Sequence, residues 1–156
     1  MDKQEQLICD FRKVFNKMSW LNAKKMKDEL SDYKPSEVHC IEYIGKNKAP
    51  NVKTLSNAFY MTRGAISKLT KKLMEKGLIE SYQREDNKKE IYFTLTKKGQ
   101  EAFDIHERLH EQFSQRDKAV FENVSDEQFC DMLELIKKYD EHLNEQIKKS
   151  GIDVSF

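Results

Sequence analysis

At 156 residues, with 38% apolar and 35% charged side chains, the chain has room for one domain with a real core and is too short for two ordinary ones. No run approaches the roughly 20 apolar residues of a membrane-spanning helix, and the mixed-charge opening MDKQEQLICDFRKVF is expected to be neither a signal nor a transit peptide. Net charge is +1, and the three cysteines (Cys9, Cys40, Cys130) form neither a disulfide framework nor a CxxC metal pair, which points to a soluble, reducing, cytoplasmic setting.

Leu7, Ile8, Phe11, Val14, Phe15, Met18 and Leu21 recur at three- and four-residue steps and predict a long amphipathic helix over 4–30. The segment SDYKPSE interrupts it, with Ser36 or Asp32 available as cap and Pro35 near a first turn. A second helix over 36–46 turns Val38, Ile41 and Ile44 inward. After the turn-rich GKNKAPN, a short helix over 54–60 starts at Thr54 as cap. Thr62 caps the next helix, over 63–76, whose inward stripe is Ile66, Leu69 and Leu73 and which Gly77 ends.

Two β-prone runs, 79–83 and 90–95, flank a polar tip, REDNKK, and read as a hairpin. A helix over 97–122 then carries Phe103, His106, Leu109, His110 and Phe113 on one face. Ser125 with Gln128 fits a capping box that opens the last helix, lined by Phe129, Met132, Leu133, Ile136, Tyr139, Leu143 and Ile147. The tail SGIDVSF is expected to be loose. The fold class is therefore mainly α with a small β-hairpin.

The charge is unevenly spread. Residues 46–98 hold 13 Lys/Arg against 5 Asp/Glu, whereas residues 99–156 hold 7 against 14. A basic middle between more acidic ends outlines a polyanion-binding centre on a scaffold that does not bind; a merely solvated face is the competing reading.

Short helix, tight turn, second helix and hairpin follow in the order of a winged helix-turn-helix. In that arrangement the second helix docks by one stripe and offers a slim polar face to the major groove. Thr62, Arg63, Gly64, Ser67, Lys68, Lys71 and Lys72 fill that face. Gly64 and Ser67 permit close approach. Arg63, near the helix N-terminus, is placed for base edges, while Lys71 and Lys72 suit phosphates. The hairpin tip adds Arg84, Lys88 and Lys89, a basic projection suited to the minor groove.

The text LSNAFYMTRGAISKLTKKLMEKGLIESYQREDNKKEIYFTLTKKG resembles the MarR/SlyA family of bacterial winged helix-turn-helix transcription regulators. The recognition helix followed by LMEKGLI, the charged wing and LTKKG opening a long helix carry the likeness. It implies a homodimer that binds a pseudo-palindromic double-stranded DNA operator, usually as a repressor, and lets go on meeting a small-molecule effector. It also implies dimerisation helices at both ends, giving 1–35 and 100–150 as dimerisation segments, 36–99 as the DNA-binding domain and 151–156 as a flexible tail. By position, Ser67 and Lys68 fall in the base-reading segment and Lys89 on the family's wing arginine. The wing aspartate of the family falls on Asn87, with Asp86 one residue earlier.

Three features bear on the effector. His106 and His110 lie four apart on one helix, and with His39 they are candidate zinc ligands, an oxygen from Asp28, Glu29 or Asp32 completing the set. In zinc-responsive family members, histidines at similar places bind the metal; the competing reading is that these two simply pack. The segment SEVHCIEYIGKNKAPNV resembles the Firmicute fatty-acid-synthesis repressors, which respond to acyl chains on a carrier protein. Cys9 is similar in place to the oxidised cysteine of the peroxide-sensing branch, although nothing near it in sequence activates a thiol. No phosphate loop, nucleophile triad or paired carboxylates argue for an enzyme. From another class, a winged-helix protein-interaction module without DNA binding is the alternative, and salt dependence of DNA binding separates it.

Overall fold

The computed structural model describes residues 2–151; the remainder of the predicted tail lies outside the described residues. Helix α1 (Lys3–Glu29) starts on Asp2, whose carboxylate accepts from the Glu5 amide at 2.8 Å while the Glu5 carboxylate accepts from the Asp2 amide at 3.3 Å. Helix α2 (Pro35–Lys46) has Pro at its first position, where no amide proton is needed. Its cap is neither Ser36 nor Asp32. Lys34 holds the cap position, and its amide donates to the Glu37 carboxylate at 3.0 Å.

Helix α3 (Val52–Phe59) begins two residues earlier than its apolar anchors suggest. Asn51 is the cap, accepting from the Thr54 amide at 2.9 Å, and Thr54 returns the favour to the Asn51 amide at 3.0 Å. Thr54 is thus the third residue of a capping box rather than the cap. Helix α4 (Arg63–Glu75) starts as expected on Thr62, whose hydroxyl accepts from the Ala65 amide at 3.2 Å. Gly77 follows with φ of 71°, the left-handed conformation that ends a helix most easily without a side chain.

Strands β1 (Ile79–Arg84) and β2 (Asn87–Leu95) are longer than their β-prone runs. They pair antiparallel, Ile79 opposite Leu95 and Tyr82 opposite Tyr92, with a register shift between Tyr82 and Arg84. The six-residue tip expected from REDNKK shrinks to Glu85 and Asp86, because Arg84 pairs with Asn87. Helix α5 (Lys97–Asp117) stops before the expected end at 122, and a 3₁₀ turn (Lys118–Phe121) replaces its last residues. Helix α6 (Asp126–Lys149) opens on the Ser125–Gln128 capping box.

The core lies where α2, α3, α4, the hairpin base and the start of α5 meet. Ile41, Leu55, Ile66, Leu73, Leu78 and Ile79 are fully buried there. Removing each such side chain from water contributes about 1.5–3 kcal/mol. Gly99 makes the junction between hairpin and α5 possible: a Cβ on it would sit 1.9 Å from the Leu78 carbonyl oxygen. The packing fixes the recognition-type helix and the hairpin as one body. The two end helices differ, since no residue of α1 or α6 is buried.

Candidate nucleic-acid interface

The turn from α3 into α4 is tight. Tyr60 takes a left-handed conformation (φ 52°), the Met61 amide donates to the Ser56 carbonyl at 3.1 Å, and the buried Ser56 hydroxyl donates to the Met61 carbonyl at 2.5 Å. These two bonds close the turn between the helices, each satisfying a backbone group of Met61.

On α4, Ile66, Leu69, Thr70 and Leu73 face the core, and the Thr70 hydroxyl returns to the Ile66 carbonyl at 3.0 Å. The opposite side carries Arg63, Ser67 and Lys71 in one four-residue row and Gly64, Lys68 and Lys72 in the next. All of these, and Thr62, are exposed. Among the described residues, none of Arg63, Lys68, Lys71 and Lys72 is held in an ion pair. The surface therefore keeps its positive charge and an open helix N-terminus, the combination that attracts phosphate.

Lys76, at the end of the same helix, has a different fate. Its ammonium lies 2.8 and 3.0 Å from the two oxygens of Glu37, which is only 2% exposed, and 5.9 Å from the Tyr33 ring centre. Burial pushes the Glu37 carboxyl up, but the Lys76 ammonium and the Lys34 amide outweigh it and hold the group below its ordinary value. This pair ties the start of α2 to the end of α4, a link that sequence spacing did not reveal.

The hairpin is pinned at its base. The Phe93 amide donates to the Pro50 carbonyl at 2.9 Å, Asn51 bridges to Tyr92, and the Thr96 hydroxyl donates to the Gly77 carbonyl at 2.6 Å. At the tip, Arg84 Nη2 donates to Asp86 Oδ2 at 3.1 Å and the guanidinium stands 5.6 Å from the Tyr92 ring centre. Among the described residues Asn87 pairs with no cation side chain; its Oδ1 accepts from the Lys89 amide at 3.2 Å. Arg84, Lys88 and Lys89 are all exposed.

A second cluster lies between α2 and α5. His106 and His110 approach each other with their Nε2 atoms 3.0 Å apart, and Glu42 Oε2 is 3.7 Å from His106 Nε2. Three donors, one from each residue, fall within 4.8 Å of one another. His39 is exposed and stands outside this group; it lies one helical turn before Glu42, which supplies the oxygen instead. Asp28 and Asp32 are also outside it, and Glu29 pairs with Arg108.

Burial lowers the His106 pKa, with nearby Glu42 opposing, so the ring favours its neutral, ligand-competent form. Its buried Nδ1 has no hydrogen-bond partner among the described residues. Glu42 is held below its ordinary value: burial raises it, and the Lys46 ammonium at 2.8 Å from Oε1 more than reverses this, leaving Oε2 to face the histidines. Burial pushes the Cys40 thiol up to about 12, so it is inert.

Residues 34–91 match the model of the MarR family. The chain is 30% identical over 123 residues to the HTH-type transcriptional regulator PchR of Bacillus subtilis (strain 168), covering 70% of this chain and 71% of that protein. It belongs to the MarR family. As such it is a DNA-binding transcription regulator and not an enzyme. The fold is similar to that of Streptococcus pneumoniae FabT in complex with DNA, with a TM-score of 0.78 at 21% identity over 92% of this chain and 99% of that one. Staphylococcus aureus MarR in complex with salicylate and kanamycin superposes with a TM-score of 0.71 at 20% identity, over 91% and 93% of the two chains. Among the described residues, no helix of this MarR protein is long and apolar enough to cross a membrane.

Proposed function

We propose that this MarR-family chain is a repressor that binds a pseudo-palindromic operator as a homodimer and is released by a small ligand. Residues 36–99 form the DNA-binding unit, and residues 1–35 and 100–150 supply the dimer contacts. The observation that carries the reading is the exposed, unpaired row of Arg63, Lys68, Lys71 and Lys72 beside the open start of α4. Arg63, Gly64, Ser67 and Lys68 sit against base edges in the major groove. Thr62, Lys71 and Lys72 hold phosphates, as do Lys88 and Lys89 on the wing. The DNA-bound FabT structure and the salicylate-bound MarR structure support the two halves of the cycle by analogy.

The test is equilibrium binding to the protein's own promoter DNA. Affinity is expected to fall about 10³–10⁵-fold between 50 and 200 mM salt. Arg63→Ala and Ser67→Ala should relax sequence preference, whereas Lys88→Ala should weaken all sequences alike. A flat salt response removes the reading.

The cluster of Glu42, His106 and His110 favours zinc as the released or releasing ligand. Two imidazoles and a carboxylate suit the metal, and tetrahedral bonds would set the two nitrogens roughly 3.3 Å apart, near the distance seen. The ion would bridge α2 and α5, and α2 is tied to the end of α4 through Glu37 and Lys76. Zinc titration read by calorimetry should show binding that His106→Ala removes and His39→Ala keeps. Equal binding by both variants rejects the site.

A further inference from the structure

Lys46, the last residue of α2, stands between two carboxylates. Its ammonium lies 2.8 Å from Glu42 Oε1, one turn earlier on α2, and 2.9 Å from Glu107 Oε1 on α5. The first contact alone is an ordinary helix pair at four-residue spacing. The second crosses from one helix to the other. Glu42 and Glu107 raise the ammonium above its ordinary pKa, so it stays charged.

Each carboxylate is thereby given one task. Glu42 commits Oε1 to Lys46 and turns Oε2 toward the histidines, 3.7 Å from His106 Nε2. Glu107 Oε1 lies 3.6 Å from His106 Nδ1. That nitrogen belongs to a residue only 2% exposed and has no hydrogen-bond partner among the described residues. An imidazole that ligates through Nε2 carries its proton on Nδ1, and a buried N–H needs an acceptor. Glu107 needs to move only a few tenths of an ångström to become one.

From this geometry we infer that Lys46 and Glu107 are the positioning residues of the Glu42, His106 and His110 site and make it selective for four-coordinate ions: Lys46 holds Glu42 to a single oxygen, and Glu107 accepts a hydrogen bond from His106 Nδ1. The inference rests on the metal reading above. The protein offers one oxygen and two nitrogens, and solvent on the exposed side of His110 completes the tetrahedron that suits zinc. Manganese and magnesium ask for about six ligands, mostly oxygen. Meeting that demand here takes the second oxygen of Glu42 or an inward turn of Glu107, and Lys46 holds both of those oxygens.

Cobalt reports the geometry, because its four-coordinate complexes absorb visible light far more strongly than its six-coordinate ones. The protein loaded with cobalt should show the strong bands. Lys46→Met, which keeps the length of the side chain and removes its charge, should lose them. Its preference for zinc over manganese, read by competition against a chelating dye, should fall about 10–100-fold. Lys46→Arg should keep both properties, since a guanidinium can hold the same two carboxylates. Glu107→Ala should weaken zinc binding about 10–100-fold, although Glu107 is no ligand. Glu107→Gln, whose amide oxygen still accepts from His106, should retain most of the affinity. Lys46 and Glu107 are 46% and 38% exposed, so these substitutions leave the core untouched.

The inference is overturned if the unaltered protein gives only weak cobalt bands, if Lys46→Met keeps the strong bands and the zinc preference, or if Glu107→Ala binds zinc as well as Glu107→Gln does. Failure of the unaltered protein to bind either zinc or cobalt would instead remove the metal reading, and this inference with it.

Discussion

Helices α4 and α6 both carry apolar residues at three- and four-residue steps, and both begin on a hydroxyl cap. Yet α4 buries Ile66, Leu69 and Leu73, while α6 leaves Met132, Leu133, Ile136, Tyr139 and Leu143 in the open. Helix α1 resembles α6, with Phe11, Val14, Phe15 and Trp20 exposed. Amphipathic spacing states that a helix has a face to cover. It does not state whether the cover comes from the same chain. For α4 the cover is α2, α3 and the hairpin. For α1 and α6, exposed apolar stripes of this kind suit an association surface, the part they take in the homodimer proposed above.

The largest effect expected from breaking this contrast is on the end helices. Phe11→Glu combined with Ile136→Glu should convert a dimer into a monomer in light scattering, and operator affinity should fall about 10²–10⁴-fold as the two half-sites cease to be linked. An unaltered protein that already runs as a monomer would reject the homodimer. On the buried side, Leu73→Ala should cost about 2–5 kcal/mol in urea unfolding. The mass of the folded protein should not change, because Leu73 contacts only its own chain's core.

Lys76→Met probes how the middle is held together. It leaves the buried Glu37 carboxylate without its cation and should cost about 1–3 kcal/mol at neutral pH. Glu37 has a folded pKa below its unfolded value, so the pair stabilises the fold above the unfolded carboxylate pKa and that contribution is lost as pH falls through the folded one. The difference between Lys76→Met and the unaltered protein should therefore narrow as the solution is acidified below about pH 4.5. A gap that stays constant in acid would mean the pair carries no such linkage. The smallest effect separates nothing, and that is its use. Thr62→Ala and Ser125→Ala should each cost about 1 kcal/mol, since a cap is a local device indifferent to whether its helix is later buried.

Much of the fold was legible in the sequence because its signals are local. Thr62 and Ser125 as caps, Gly77 as a helix end and the inward stripe of α4 all follow from neighbours within one turn. Thr54 passes for a cap in the sequence because its pairing with Asn51 is reciprocal and either residue type can play either part. The hairpin tip is narrower than its sequence suggests because polar residues of a short exposed strand resemble a loop until they find their partners. Helix α5 is shorter than its sequence suggests because a 3₁₀ turn carries the same residue types as another helical turn.

The site divides along the same line. The cations of α4 could be assigned to one face by counting residues. That Lys76, just past the end of α4, turns to Glu37, that Glu42 rather than His39 joins the two histidines, and that Arg84 lies over Tyr92 while Lys89 does not could not be counted. Each joins elements whose separation along the chain, 39 residues for Glu37 and Lys76, says nothing of their distance in space. Periodicity and capping are set by short-range backbone geometry, so the chain writes them out directly. Which charge is neutralised, which is braced and which is left free depends on how the helices cross, and packing of the assembled core alone fixes that.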